Sequence, residues 1–128
     1  MRKQNFIYGI LLFLIVTLLS CQKQESKSPT QIVKYEIAGE ITGSLQVTYS
    51  DNINGSNVIN NVSTPWSTTL QYSREVTEIS FEAVGNVTGN PGQIITFNTY
   101  INNTLVRTHT SVSDRSGKIT IPLQVQSL

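Results

Sequence analysis

The sequence predicts an all-β domain, an antiparallel β-sandwich of about seven short strands with an immunoglobulin-like architecture. Two observations carry this prediction. From Ile32 to the C-terminus, apolar and polar residues alternate with period two, which is typical of half-buried strands. Turn-forming clusters recur about every 8–12 residues, and no window shows the three-and-four spacing of an amphipathic helix.

The first half of this domain is expected to contain three or four strands. Gly39 closes the first strand, and the cluster 51–55 forms the turn after the second. Pro65 has no N–H to donate, so it marks an edge or a bend, and Trp66 is expected to plug the core between the sheets. The expected strands are 33–37, 45–49, 58–62 and 66–72.

The second half is expected to contain the remaining strands. Gly85 and the turn 89–92 bound the first of them. Asn102-Asn103 can adopt positive φ and predicts a two-residue hairpin turn, and 113–117 forms the next turn. The expected strands are 79–83, 95–101, 105–112 and 119–125.

The N-terminal stretch has a different pattern. Two cations, Arg2 and Lys3, precede a mostly apolar run from Phe6 to Leu19. This is the layout of an export signal, and the run is shorter than the roughly 20 residues of a membrane-spanning helix. Leu18-Leu19-Ser20-Cys21 resembles the lipobox of bacterial lipoproteins, whose cysteine is acylated after cleavage of the signal. The alternative is an uncleaved signal-anchor helix with a chance cysteine.

The chain is therefore expected to have three parts. Residues 1–20 form the lipoprotein signal peptide, 21–31 form a flexible tether that begins at lipidated Cys21, and 32–128 form the sandwich domain. Acyl chains on Cys21 would anchor the protein to a membrane. Gln22 follows the cysteine, which by analogy with a bacterial sorting rule favours the outer membrane of the cell envelope, on its periplasmic or surface face.

Charge and cysteine content exclude several classes of function. The chain has nine Lys and Arg residues and eight Asp and Glu residues, and two of the cations lie in the signal. The domain is close to neutral, and nucleic acid is not an expected partner because phosphate binding needs clustered cations. Cys21 is the only cysteine, so the domain is expected to have neither a disulfide nor thiol chemistry.

Four segments resemble the MmpS family, small accessory proteins of RND-type lipid and siderophore exporters. They are Tyr35-Glu36-Ile37-Ala38-Gly39, Val47-Thr48-Tyr49, Asn61-Val62-Ser63-Thr64-Pro65-Trp66 and Tyr100-Ile101-Asn102-Asn103. The likeness covers residues 33–117, and the Pro-Trp stretch is its most specific part. It implies a single sandwich domain that assists a membrane transporter by protein–protein contact. Family members typically have a transmembrane anchor and some have a cysteine pair, whereas this chain has the lipobox-like signal and Cys21 alone.

Five residues are candidates for contact with such a partner. Strand edges and the bend at Pro65 are the expected contact sites, and large apolar groups that prove exposed more often mark contacts. The candidates are Pro65, Trp66, Thr69, Tyr72 and Tyr100. Two alternatives stay open, a binding module for a glycan or matrix polymer and a purely structural envelope lipoprotein. An exposed aromatic platform would favour the glycan-binding alternative.

No catalytic, metal or cofactor site is predicted. His109 is the only histidine, and alternation places it with Arg107 on one strand face, which we expect to be solvated. A zinc site needs three or four ligands, and paired carboxylates must be held in a cleft. Oxygen ligands around 51–54 make a calcium turn a minor alternative. Other polar side chains are expected to face outward: Thr48, Thr69, Gln71, Thr96, Asn98, Thr108, Thr110, Thr120 and Gln124.

Overall fold

The computed structural model describes residues 30–53 and 55–128, so the expected signal and the acylation site at Cys21 lie outside the described residues. The described part contains eight strands and no helix. The first strand begins at Thr30, two residues before the expected start of the sandwich domain at Ile32. The strands are β1 (Thr30–Ala38), β2 (Gly43–Ser50), β3 (Ser56–Val62), β4 (Trp66–Ser73), β5 (Glu78–Val87), β6 (Ile94–Ile101), β7 (Thr104–Val112) and β8 (Lys118–Ser127).

The strands form two antiparallel sheets of four. Sheet A has the order β4-β1-β6-β7, and sheet B has the order β3-β2-β5-β8. The predicted antiparallel sandwich is confirmed. Its first strand lies inside sheet A, between β4 and β6. The edge strands are therefore β4 and β7 in one sheet and β3 and β8 in the other.

The core lies between the sheets because alternate residues of each central strand point inward. Phe81 of sheet B stacks on Phe97 of sheet A, with ring centroids 4.0 Å apart and planes inclined by 14°. Tyr35 packs beside both rings. The other buried apolar side chains are Val33, Ile37, Leu45, Val47, Tyr49, Val62, Tyr72, Ile79, Ala83, Val87, Ile95, Ile119 and Ile121.

Trp66 occupies the margin of this core. Its ring is half-buried and lies 6.5 Å from the ring of Tyr49 and 6.3 Å from the ring of Phe81, measured between centroids. Because one side of Trp66 remains accessible, the residue both packs against the core and contributes to the surface.

Two turns follow the sequence prediction. Asn102 and Asn103 have φ angles of 48° and 66°, and they join Ile101 to its partner Thr104. Two consecutive left-handed residues are the signature of a tight two-residue hairpin. Gly39 ends β1 with φ of 97°, and a Cβ atom there would lie 2.7 Å from the carbonyl oxygen of Ile94.

Both ends of the described chain lie at the same end of the sandwich. Thr30 pairs with Ser73 at the end of β4, and Ser73 N donates to Asn52 Oδ1 in the β2–β3 loop. The last residue, Leu128, donates its N–H to the carbonyl oxygen of Thr77. We call this the proximal end, because the tether would emerge there, and the opposite end the distal end.

The expected orientation of Arg107 and His109 is wrong. They do share one face of β7, but they pair with Thr99 and Phe97, whose side chains point into the sandwich. Directly paired residues of antiparallel strands point to the same side of a sheet. Arg107 and His109 are accordingly half-buried between the sheets rather than on a solvated face.

The expected outward position of Gln124 is also wrong, and a bulge explains it. Ala83 pairs with Ile121 but Phe81 pairs with Gln124, so β8 contains one extra residue near Pro122. An extra residue in a strand reverses the faces of everything beyond it. Gln124 therefore points inward, where its Oε1 accepts a hydrogen bond of 3.0 Å from Arg107 Nη1, while Leu123 and Val125 are exposed.

Candidate binding surfaces

The four edge strands of the described sandwich differ in how they are protected from pairing with another chain. β3 and β7 each carry one extra residue relative to their neighbours, and β8 carries both an extra residue and Pro122. Bulges and prolines blunt an edge because they interrupt the row of free backbone groups. β4 has neither, and its eight residues pair with β1 without a register shift.

The side chains of β4 do not protect its edge either. None of its eight residues, WSTTLQYS, is charged. Ser67, Thr69 and Gln71 are exposed on the outer face of sheet A, whereas Thr68 and Leu70 are half-buried on the inner side. Charged side chains, especially inward-pointing ones, are a common protection of natural sheet edges. Along residues 66–72, β4 is thus the unprotected edge of the described sandwich, and at its end the N–H of Ser73 donates to Asn52 Oδ1 of the β2–β3 loop.

An apolar cleft lies beside the proximal half of β4. It has a volume of about 250 Å³, and we call it the Leu70 cleft. Leu70 and Tyr72 contribute to it from β4, Asn57 contributes from β3, and 51–53 contribute from the β2–β3 loop. Ile53 on that loop is 86% exposed. The sandwich is therefore incompletely closed on the side where β3 and β4 form its edges.

A second cleft, of about 360 Å³, lies at the distal start of β4. Pro65 and Trp66 line it together with Glu36 and Ala38 of β1. The Thr64–Pro65 peptide bond is cis, and Pro65 is exposed. The structure therefore brings together three of the five candidate contact residues, Pro65, Trp66 and Thr69, along one edge of sheet A.

The other two candidates lie elsewhere. Tyr72 is fully buried, with 0% exposure, and its hydroxyl donates a 2.6 Å hydrogen bond to the carbonyl oxygen of Ser50. It cannot offer a ring to a partner, so its proposed contact role is withdrawn. Tyr100 is half-buried on the outer face of sheet A, away from the β4 edge.

Tyr100 belongs to a polar cluster centred on Glu36. Lys34 Nζ lies 2.5 Å from Glu36 Oε2, and the Asn98 amide and the Tyr100 hydroxyl each donate to Glu36 Oε1 at 3.2 Å. The hydrogen bond from Lys34, followed by that from Asn98, holds the pKa of Glu36 below its usual value. Lys34 also lies 5.2 Å from the Tyr100 ring centroid, which leaves that ring partly covered rather than open for stacking.

The acidic side chains considered for metal binding or acid–base chemistry are Asp51 in the β2–β3 loop and Glu78 and Glu82 on β5. In the described part of the chain, no cluster of three or more His, Cys, Asp or Glu residues could hold a metal ion. Asp51 Oδ1 instead accepts hydrogen bonds of 2.8 Å from the backbone N–H of Ile53 and of Gly55, so it stabilises its own turn. Glu78 and Glu82 are exposed on β5.

Sequence reasoning missed the polar character of the β7–β8 side. Arg107 Nε is buried without a hydrogen-bond partner, and Ser111 Oγ donates to the carbonyl oxygen of Thr120 at 2.5 Å. One signal was present in the sequence. Pro122 inside an apparently regular strand indicates a bulge or an edge, and a bulge there exchanges the inward and outward sets of residues.

Comparison with known proteins adds no identification. No protein-family model matches the chain, and no curated protein matches it at a significant level. Across residues 30–53 and 55–128, no helix has the length and apolar character needed to cross a membrane.

Proposed function

We propose that this protein is a lipid-anchored, non-catalytic domain of the cell envelope that acts by protein–protein contact through the β4 edge. In this role it would be an accessory to a membrane export system, as the resemblance to the MmpS family implies. The observation that carries the proposal is the unprotected edge itself. β4 has no bulge, proline or charge, and it lies between two clefts.

The position of the chain end supports an anchored arrangement. β1 starts at Thr30 at the proximal end, and eight residues, 22–29, separate it from Cys21. Such a segment reaches about 30 Å when fully extended. An anchor at Cys21 would therefore hold the proximal end towards the membrane and leave the β4 edge free to meet a neighbouring membrane protein.

Binding of a glycan is the weaker alternative. Sugar-binding faces commonly use open aromatic rings because these offer large, rigid contact area. In the described structure, Trp66 packs one side against the core, Tyr72 is buried, and Lys34 lies over Tyr100. The three rings do not form a platform.

Acylation can be tested separately from partner contact. We expect the wild-type chain to incorporate radiolabelled palmitate and to sediment with membranes, and Cys21→Ser to lose the label. A plain signal-anchor helix predicts a different result, because both chains would remain in the membrane fraction unlabelled. Labelling of Cys21→Ser would also contradict acylation at this site.

Partner contact can be tested with a photo-crosslinking amino acid placed in the intact protein in living cells. Thr69 on β4 is the test position, and Thr108 on β7 and Thr120 on β8, both exposed, are the controls. We expect one discrete crosslinked membrane protein from Thr69 and none from the two controls. Equal crosslinking from all three positions, or none from Thr69, would contradict contact through β4.

A further inference from the structure

We propose that the partner contributes an extended strand that adds to the free edge of β4. The added strand would have uncharged polar side chains on one face and medium-sized apolar side chains on the other. This inference rests on the proposed function, because it specifies the kind of partner that the β4 edge accepts.

The backbone of β4 provides the first feature that an added strand requires, a row of unpaired hydrogen-bonding groups. A strand forms hydrogen bonds on two sides, and β4 uses one side for β1 in eight consecutive residue pairs. On its other side, the N–H and C=O groups of Ser67, Thr69 and Gln71 have the regular spacing that an incoming strand needs, whereas the N–H of Ser73 is already bonded to Asn52 Oδ1. Strand addition of this type draws its affinity from main-chain hydrogen bonds and its specificity from alternate side chains.

The side chains of β4 provide the second feature, which determines the side chains that an added strand should have. On the outer face, Ser67, Thr69 and Gln71 form an exposed uncharged row, so cross-strand neighbours that are uncharged and polar fit best. On the inner side, Leu70 is half-buried and lines the 250 Å³ apolar cleft. An apolar side chain of the incoming strand would enter this cleft and extend the core past the edge.

The protein's own tether does not fit this role. Residues 22–29, QKQESKSP, contain no aliphatic or aromatic residue to fill the Leu70 cleft. Lys23, Glu25 and Lys27 occupy alternate positions, so in an extended conformation all three charges would share one face. The segment also enters β1 at Thr30, on the opposite side of β4 from its free edge.

A second copy of the chain fits poorly as well. Two β4 strands paired antiparallel are related by a twofold axis perpendicular to the strands, which places their proximal ends at opposite ends of the pair. Eight residues of strand span about 27 Å, almost the full reach of the tether. With the strands upright on the membrane, as an anchor below the proximal end would hold them, the two anchors could share one membrane only if the tether of one copy were fully stretched. A strand from a different protein has no such restriction.

The test uses the intact acylated protein in lipid nanodiscs and defined synthetic peptides. The probe is an eight-residue peptide that alternates Thr and Val, with a terminal Lys at each end for solubility. A peptide of the same composition with the Thr and Val residues in two blocks is the control. Binding is measured as slowed amide hydrogen exchange of β4. We expect at least fivefold slowing with the alternating peptide and none with the block peptide.

Two N-methylated versions of the probe test the geometry of binding. In a strand, the N–H groups of alternate residues point to the same edge, so methylating all Val nitrogens blocks one edge and methylating all Thr nitrogens blocks the other. With Val facing the cleft, an antiparallel peptide presents its Thr N–H groups to β4 and a parallel peptide presents its Val N–H groups, so a peptide with one preferred direction has one edge in contact with β4. We expect one methylated peptide to slow exchange and the other not to. Equal behaviour of the two peptides would overturn strand addition.

Variants of the protein complete the test. Leu70→Lys places a charge in the cleft and is expected to abolish the slowing, whereas Leu123→Lys, on an exposed leucine of β8, is expected to retain it. Thr69→Lys leaves the cleft unchanged and keeps the test informative if Leu70→Lys does not fold. It places a cation beside the added strand's uncharged row, so we expect it to reduce the slowing. If the alternating peptide slows amide exchange of β4 as much in folded Leu70→Lys and Thr69→Lys as in the wild type, the proposal is overturned.

The two proposals fail in different ways. Crosslinking at Thr69 in cells without any peptide effect would mean that a partner contacts β4 by side chains alone, which overturns strand addition and keeps the proposed function. Peptide binding without a crosslinked partner would overturn the proposed function. Slowed exchange of β4 that increases with protein concentration, in the absence of peptide, would show self-pairing and overturn the choice of a different protein.

Discussion

Two buried tyrosines illustrate how neighbouring residues of one type can have opposite roles. The Tyr72 hydroxyl donates to the carbonyl oxygen of Ser50, whereas the buried Tyr35 hydroxyl has no partner in hydrogen-bonding geometry, although Tyr72 is close enough to affect its pKa. Burial raises the pKa of both phenols, so both stay neutral. A buried polar group is costly when unpaired and close to neutral or favourable when paired.

We expect Tyr35→Phe and Tyr72→Phe to change stability in opposite directions. Removing the unpaired hydroxyl of Tyr35 should raise the free energy of unfolding by about 1 kcal/mol. Removing the paired hydroxyl of Tyr72 should lower it by about 1 kcal/mol, because the Ser50 carbonyl then loses its donor. Denaturant unfolding of the two variants provides the comparison. Destabilisation by both would indicate that Tyr35 is paired in solution.

Gly39 and Gly92 form a second matched pair, since both have positive φ. A Cβ at Gly39 would lie 2.7 Å from the Ile94 carbonyl oxygen, whereas a Cβ at Gly92 would meet nothing within 4 Å. We expect Gly92→Ala to cost about 1 kcal/mol, from backbone strain alone. Gly39→Ala should cost at least about 2 kcal/mol, because steric overlap adds to the strain. Equal thermal midpoints would contradict this account.

The carboxyl of Glu36 gives the fold a pH-dependent contribution. Its pKa is lowered in the folded state by Lys34 first and then by Asn98. Because the pKa is lower in the folded state, the ionised carboxylate stabilises the fold at a pH above the pKa of the unfolded chain, near 4.5. This contribution is lost as the pH falls through the pKa of the folded state. Glu36→Gln should therefore be less stable than wild type at pH 7, and the difference should vanish in acid. A difference that persists at pH 2 would contradict the assignment.

At the scale of elements, β8 shows how one residue changes a surface. The bulge near Pro122 turns Leu123 and Val125 outward and Gln124 inward. The inward glutamine meets Arg107, which is half-buried and bonded only through Nη1 among the contacts found in the described structure. The β7–β8 side is thus closed by a polar pair instead of by aliphatic packing.

This polar pair leads to a double-variant prediction. Gln124→Ala should destabilise the fold by about 1–3 kcal/mol, because it leaves the Arg107 guanidinium without its acceptor. Replacing both residues by Leu should be less harmful than the single change and is expected to be neutral or stabilising, since a half-buried cation is no longer desolvated. If the double variant loses more stability than Gln124→Ala, the interpretation that burying the Arg107–Gln124 pair costs free energy is wrong.

Period-two alternation predicted the existence and order of the elements well, and local chemistry explains why. Asn102-Asn103 specifies its turn because both residues tolerate positive φ. The faces of β7 and β8 were not predictable in the same way. Arg107 between aliphatic and hydroxyl neighbours suggests solvent, and only the pairing with Thr99 and Phe97 reveals that its face points inward.

At the scale of the whole molecule, the contact surface was predictable only in part. Pro65, Trp66 and Thr69 are brought together because β4 is an edge strand, which follows from the sheet order and not from local sequence. The same sheet order buries Tyr72. A sequence pattern gives the alternation of a strand, but which strands remain unpaired depends on pairings between residues distant in the chain.

The position of β1 has a consequence for how the chain acquires its structure. β1 lies inside sheet A, and its two partners are β4 and β6. Its pairing with β6, which includes the pair Val33–Ile101, joins residues far apart in the chain. Pairings between such distant residues are slow to form because a long loop must close first. If the protein is exported to the cell envelope, as we propose, and its N-terminal part emerges first, most of the chain emerges before β1 can pair with both neighbours. Because sheet A cannot be completed earlier, this topology keeps the chain unfolded, and able to pass through a narrow channel, until late in export.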